Sequence, residues 1–192
     1  MMEVELKAAL RPEQVRLLSQ MLLARGFEEQ VAVLETDVYF NASDRDFART
    51  DEALRLRKVC TLTNGAEQIC ITYKGAKVDA RSSTRRELET MVGSFETMRA
   101  LLLALGYRAV YTVQKTRRSF VCGSRTVCLD KVEGLGDYIE LETVLPDDAD
   151  SEAEVTSLLA LLDAFSVPRD ALRRESYLDL LLESASAQKA YL

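Results

Sequence analysis

The chain has 192 residues, 47% of them apolar, a net charge of −6, four cysteines and no histidine. That length and apolar content suffice for a sizeable buried core in one large or two small units. The negative charge excludes a general nucleic-acid coat, which needs clustered Lys and Arg without matching acid. The missing histidine excludes Cys₂His₂ zinc sites, c-type haem attachment and Ser-His or Cys-His nucleophiles together.

In chain order the first element is EVELK (3–7), where Glu3, Glu5 and Lys7 alternate with Val4 and Leu6. As a strand it puts three charges on one face and two apolar side chains on the other. Residues 11–26 follow with helical periodicity: Pro12 suits the first turn, Val15, Leu18 and Leu22 form one stripe, and Gly26 stands past the last turn. Four strands are then predicted, LETDVYF (34–40), EALRLRKV (52–59), EQICITYKG (67–75) and STRRELETMV (83–92). A second helix over 94–106 places Met98, Leu101, Leu102 and Leu105 on one side and ends at Gly106. Three more strands, YTVQKTRRSFVC (111–122), RTVCLDKV (125–132) and DYIELETV (137–144), bring the number to eight. After the acidic loop PDDAD (146–150) come a helix over 151–165 and a last one over 173–184.

No signal-like apolar run precedes these elements, and the stretch LLLAL (101–105) is far too short to span a bilayer. The expectation is a cytoplasmic chain with no membrane partner. Cys60, Cys70, Cys122 and Cys128 form no C-x-x-C pair and read as small apolar strand residues in a reducing compartment. A weak internal repeat is present: Glu3-x-Glu5, helix, Gly26-Phe27 and strand return as Glu87-x-Glu89, helix, Gly106-Tyr107 and strand. Two similar halves, each with too few strands to stand alone, favour one closed or nearly closed barrel over residues 1–192.

Nearly every strand carries ionisable groups at i, i+2: Glu3, Glu5, Lys7; Arg55, Arg57; Lys74; Arg85, Glu87, Glu89; Lys115, Arg117; Asp130; Glu140, Glu142. The opposite faces hold Val4, Leu6, Leu54, Leu56, Ile69, Ile71, Val127, Leu129, Ile139 and Leu141. Amphipathic helices need an apolar surface, and this second face is the continuous one on offer. An open sheet with water on its charged side gives the same alternation. Two features favour the barrel instead: the same-face positions are repeatedly Glu-x-Glu or Arg-x-Arg, and such like-charged pairs repel without benefit on a free surface. The fold class expected is α+β, an eight-stranded antiparallel β-barrel with helices packed outside and charges lining the lumen. Carboxylates can take Mg²⁺ or Mn²⁺ and basic groups can clamp phosphate oxygens, so the lumen suits a metal-bound polyphosphate.

E-V-E-L-K resembles the E-x-E-x-K signature of the CYTH superfamily, the triphosphate tunnel metalloenzymes. Further marks follow in family order: ALRLRK (53–58), TYKG (72–75), RRELE (85–89), QKTRRSF (114–120), LDKVEGLGDYIELE (129–142) and ESYLDLLL (175–182). The G-L-G-D-Y spacing and terminal S-Y-x-x-L-L look most like the class IV adenylyl cyclase branch. The resemblance implies an eight-stranded antiparallel tunnel. It further implies that Glu3, Glu5, Asp130, Glu140 and Glu142 hold a divalent cation, Mg²⁺ or Mn²⁺, and that Glu87 and Glu89 form a second acidic pair. By the same resemblance Lys7, Arg55, Arg57, Lys74, Arg85, Lys115 and Arg117 bind the triphosphate, with Lys7, Lys115 and Arg117 in catalytic roles. Ion pairing with the carboxylates is the alternative role of each cation, above all of Arg85. Lys58, Arg118 and Lys131 have the opposite parity and are expected at the surface. The implied activity is conversion of ATP to cyclic AMP and pyrophosphate. A triphosphatase acting on tripolyphosphate, thiamine triphosphate or a nucleoside triphosphate is the close alternative, and a non-catalytic polyphosphate-binding module is a third. The partners implied are ATP or another triphosphate and at most a second copy of the chain, with no nucleic acid.

Overall fold

A computed structural model describes residues 2–146 and 149–190. Eight long strands make the wall: β1 (Met2–Leu10), β3 (Val33–Asn41), β4 (Ala53–Thr61), β5 (Glu67–Lys74), β6 (Arg85–Met91), β7 (Arg108–Cys122), β8 (Arg125–Val132) and β9 (Gly136–Leu145). They pair antiparallel in the order β1-β6-β5-β4-β3-β7-β8-β9, and β9 returns to β1, closing the barrel. The β1–β9 seam is long, from Met2 opposite Leu145 to Leu10 opposite Asp137, whereas β1 meets β6 only at Met2–Arg86 and Glu3–Arg85. All eight predicted strands are present. Two pairs of residues, β2 (Glu28–Glu29) and β10 (Leu172–Arg173), also join the sheet, and they are too short to show any periodicity.

The helices are α1 (Pro12–Ala24), α2 (Phe47–Thr50), α3 (Phe95–Ala104), α4 (Ser151–Ala164) and α5 (Tyr177–Ala190). Pro12 opens α1, and the Gln14 side chain accepts from the Arg11 backbone N–H at 2.9 Å. Gly26 and Gly106 follow α1 and α3 at φ +81° and +89°, the left-handed conformation in which glycine costs least. Asp150 caps α4 by accepting from the N–H groups of Glu152 and Ala153, while Asp147 and Asp148 of the acidic loop lie outside the described residues.

The apolar face of the strands is where the helices lie. Leu18 and Leu22 of α1 and Val155, Leu158 and Leu162 of α4 bury Val4, Leu6, Val127, Leu129, Ile139 and Leu141. On the other side α3 covers Val38, Leu54 and Leu56. Its stripe is a correction to the predicted one: Phe95, Met98 and Leu102 pack, while Leu101 and Leu105 are exposed. The helix turns its i, i+3, i+7 row to the sheet, and leucine on nearly every face leaves periodicity unable to choose among rows. Helix α5 differs from the rest. Its Tyr177 and Leu181 rest on Tyr39, Val113, Val132 and Tyr138, residues of lumen parity near one end of the barrel, so α5 leans on the barrel's end instead of its wall. Among the described residues no helix is long and apolar enough to cross a membrane.

Candidate active site in the barrel lumen

Because side chains alternate along a strand, each wall strand delivers every second residue to the lumen. Glu3, Glu5 and Lys7 come from β1, Glu35 and Asp37 from β3, Arg55 and Arg57 from β4, and Thr72 and Lys74 from β5. Arg85 and Glu87 come from β6, Lys115 and Arg117 from β7, Asp130 from β8, and Glu140 and Glu142 from β9. Register then decides neighbours: Glu5 stands opposite Glu142, Lys7 opposite Glu140, Arg117 opposite Asp130, and Lys74 opposite Glu87. A cavity of about 170 Å³ runs through this set.

One side of the lumen is cross-linked. Arg117 grips Asp130 with two bonds, Nε to Oδ1 at 2.7 Å and Nη2 to Oδ2 at 2.5 Å, and also touches Glu140. Lys115 lies 3.0 Å from Asp130 and 3.3 Å from Glu35. Arg57 holds Asp37 in a second bidentate pair at 2.6 and 2.7 Å and reaches Glu35 at 2.9 Å. Such planar two-bond pairs fix direction as well as distance. Burial works against ionisation of Glu35, Asp37 and Glu140, but the surrounding cations win: Glu35 falls to about 2 through Lys115, Arg117 and Arg57, and Asp37 and Glu140 are also held well below the usual carboxylate range. Lys7 is pushed above its ordinary value, Glu5 and Glu140 outweighing its burial.

The other side is under-compensated. Glu142 has no ion pair among the described residues, and burial, together with Glu3, Glu140 and Glu5, raises its carboxyl to about 7 against the opposing pull of Arg117. Glu87 rises to about 8, through burial and its hydrogen bond to Glu3, although Lys74 touches it. Glu3 is half-buried and loses solvation, yet Lys74 at 3.1 Å and Arg55 bring it down to about 2. Among the cations, the buried Arg85 side chain makes no ion pair or hydrogen bond among the described residues, so the alternative role of ion pairing, given most weight at this residue, is not the one seen. Arg55 is held loosely, 3.9 Å from both Asp37 and Glu89, and its Nε has no partner among the described residues. Both guanidinium groups line the cavity, Arg55 being further held by a hydrogen bond from its Nη2 to Thr72 Oγ1 at 3.3 Å.

Eight carboxylates thus face seven cations before any substrate enters. A triphosphate would add several negative charges, and burying uncompensated charge costs several kcal/mol per group. The donor set fits a hard divalent cation: it is all carboxylate oxygen, and Glu142, without an ion pair among the described residues, stands beside Glu5 and Glu3. Among the described residues no three such groups already converge closely enough to hold an ion, so binding would have to draw them together. The predicted acids are therefore not equivalent. Asp130 sits among cations with both oxygens occupied, Glu140 lies between Lys7 and Arg117, and Glu89 is half-exposed at the rim, accepting from Thr72 at 2.7 Å. Lys58 and Arg118 are partly exposed and make outward pairs with Glu67 and Glu29, and Lys131 is exposed.

The raised carboxyls predict a pH signature. A group whose folded pKa exceeds its unfolded value stabilises the fold below the unfolded pKa, and that stability is lost as pH rises through the folded one. Glu142 and Glu87, at about 7 and about 8 against 4.5, should lower the melting temperature of the chelated protein between pH 6 and pH 8.5. Glu87→Gln should flatten that slope, and added Mg²⁺ or Mn²⁺ should oppose it. An unchanged melting temperature across this range by differential scanning fluorimetry would remove the uncompensated cluster.

Lumen groups absent from the predicted set include Glu35, Asp37, Tyr39 and Tyr177. Glu35 and Asp37 carried the same i, i+2 signal in LETDVYF as the acids that were singled out. Tyr39 sits two further along the same strand. Tyr177 had no such signal, since it enters from a helix.

Comparison with known proteins agrees with this geometry. The CYTH domain family matches residues 1–177. The "Putative adenylate cyclase MJ0240" of Methanocaldococcus jannaschii is 34% identical over 185 residues, covering 94% of this chain and 98% of that one. The solved structure of the PH1819 protein from Pyrococcus horikoshii superposes with a TM-score of 0.85 at 35% identity, over 95% of this chain and 99% of that one. The "Putative adenylyl cyclase HpAC1" from Hippeastrum, described as having a dominant triphosphatase activity, shares the fold at a TM-score of 0.64 and 17% identity, over 95% of each chain.

Proposed function

The chain belongs to the CYTH domain family, and from that premise we propose that it is a metal-dependent enzyme converting ATP to cyclic AMP and pyrophosphate. The observation that carries the choice is the shape of the cavity. Its charged centre continues to a mouth between α2 and α5 lined by Phe40, Phe47, Val110, Leu178 and Leu182. An inorganic triphosphate has no use for such a lining, whereas a nucleobase gains from leaving water there.

In this reading Arg85, Arg55 and Lys74 take the phosphate oxygens nearest the under-compensated side. Lys7, Lys115 and Arg117 exchange part of their carboxylate contacts for phosphate. Glu3, Glu5 and Glu142 would hold the divalent cation. The chemistry the cation supplies is neutralisation of phosphate charge and polarisation at phosphorus. The apolar mouth holds the adenosine folded over its own α-phosphate and keeps water from the γ-phosphorus. The ribose 3′-oxygen then bonds to the α-phosphorus as its proton leaves to a base. The α–β bridging bond breaks, and pyrophosphate departs against the basic wall.

A second reading, triphosphate hydrolysis, draws support from the Hippeastrum relative of like fold. Product analysis separates the two. Purified protein given Mg²⁺ or Mn²⁺ and ATP should yield cyclic AMP and pyrophosphate with little ADP, and tripolyphosphate should inhibit competitively. Orthophosphate as the main product, with tripolyphosphate cleaved faster than ATP, would overturn cyclisation and leave a triphosphatase.

A further inference from the structure

Tyr177 reaches the lumen from outside the barrel wall, and its backbone is anchored on both sides. Ser176 and Asp179 cap the start of α5 reciprocally: the Asp179 carboxylate accepts from the Ser176 N–H at 2.9 Å, and the Asp179 N–H donates to Ser176 Oγ at 3.1 Å. Just upstream, Arg174 donates to the carbonyls of Ser82 and Asp79 at 3.1 and 2.6 Å, and Lys7 donates to the Glu175 carbonyl at 3.2 Å. The segment is thereby strapped across the barrel's end.

The buried phenol then touches three groups of the lumen at once. Lys7 Nζ lies 4.7 Å and Lys115 Nζ 5.0 Å from the ring centroid, and the hydroxyl donates to Asp130 Oδ2 at 3.0 Å. Tyr138 braces the ring edge-on, with centroids 5.2 Å apart. Lys7 is on β1 and Lys115 on β7, strands separated in the sheet by β8 and β9, so neither lysine can aim the other through the sheet. Each ammonium also has carboxylates in reach: Glu5 and Glu140 within 3.5 Å of Lys7, and Asp130 and Glu35 within 3.3 Å of Lys115. A π face attracts a cation without neutralising it. The ring therefore holds two cations against that pull while leaving their charge available to a ligand.

We propose that Tyr177 is a positioning residue: its ring aims Lys7 and Lys115 at a triphosphate in the lumen, and its hydroxyl steadies Asp130 as the common partner of Lys115 and Arg117. This rests on the triphosphate reading of the tunnel. The test compares the full-length protein with Tyr177→Phe, which keeps the ring, and Tyr177→Leu, which removes it. In protein carrying ¹³C-labelled lysine, the ε-CH₂ signals of Lys7 and Lys115 should be shifted by the ring current in the wild type and in the Phe variant, and should return to ordinary positions in the Leu variant. Calorimetric titration with inorganic tripolyphosphate in the presence of chelator should give an affinity for the Phe variant within about 3-fold of wild type and for the Leu variant about 10-fold weaker. If the Leu variant fails to fold by circular dichroism, Tyr177→Met, of similar length, takes its place. A ring-less variant binding as wild type does, or a Phe variant weakened as much as the ring-less one, overturns the positioning role. Ring-shifted lysines in a wild type that binds neither tripolyphosphate nor ATP would uphold the ring's grip and overturn the triphosphate reading instead.

Discussion

Replacing Glu3 and Glu5 together by alanine is expected to abolish turnover, by about a thousandfold or more, while the barrel stays folded. The loss is large because both carboxylates belong to the group that would hold the divalent cation, and transition-state charge stabilisation of that kind is worth several kcal/mol. The fold should survive because neither partner is stranded. Lys74 keeps Glu87, and Lys7 keeps Glu140 at 3.5 Å. Removing two acids from a lumen where carboxylates outnumber cations also relieves repulsion on Glu142, so the melting temperature in chelator should be equal to wild type or higher. The checks are kcat with each metal and a melting curve without it. Substantial activity in the double variant, or wild-type activity in excess chelator, would remove the metal role from this strand.

The second large effect concerns one residue and its neighbour. Arg117→Met should destabilise the protein by about 3–5 kcal/mol, because the buried Asp130 and Glu140 lose their shared guanidinium and are left under-compensated with Lys115 and Lys7 as their remaining cations. For a chain of this length that corresponds to a fall in melting temperature of roughly 6–20 °C. Triphosphate binding should be lost along with stability. Arg118→Ala, one residue on, should stay within about 0.5 kcal/mol of wild type, since Arg118 points outward to Glu29 with both side chains about one-third exposed. Similar losses at the two positions would mean that β7 does not present alternate faces as described.

Alternation carried most of the reading from sequence. A residue's parity on a strand is a local property, so Arg117 inside and Arg118 outside follow from the order of residues alone. The amphipathic helices added the second half of the inference, because an apolar strand face already claimed by helices leaves the charged face to the interior. Parity says nothing, however, about which strand lies across from which. That Asp130 is gripped by Arg117 and Lys115 while Glu142 has no ion pair among the described residues depends on register and on the order β1-β6-β5-β4-β3-β7-β8-β9. The sequence read these two acids as one kind of ligand, and the fold gives them opposite surroundings. Arg85 shows the reverse: ion pairing was the alternative role that weighed most for it, yet the acids nearest it in the sheet, Glu3 and Glu87, are taken by Lys74.

By itself, then, the sequence determined the eight strands and the shared face of the charges it singled out, because both are written in spacing along the chain, and its motifs carried the resemblance to the family. Only the tertiary structure decided which charges neutralise one another, where the cavity turns apolar between α2 and α5, and that Tyr177 enters the lumen from a helix. Those are contacts between residues far apart in the chain, such as Tyr177 and Asp130, and they arise only when closure of the barrel brings strand faces and helix ends into one small volume.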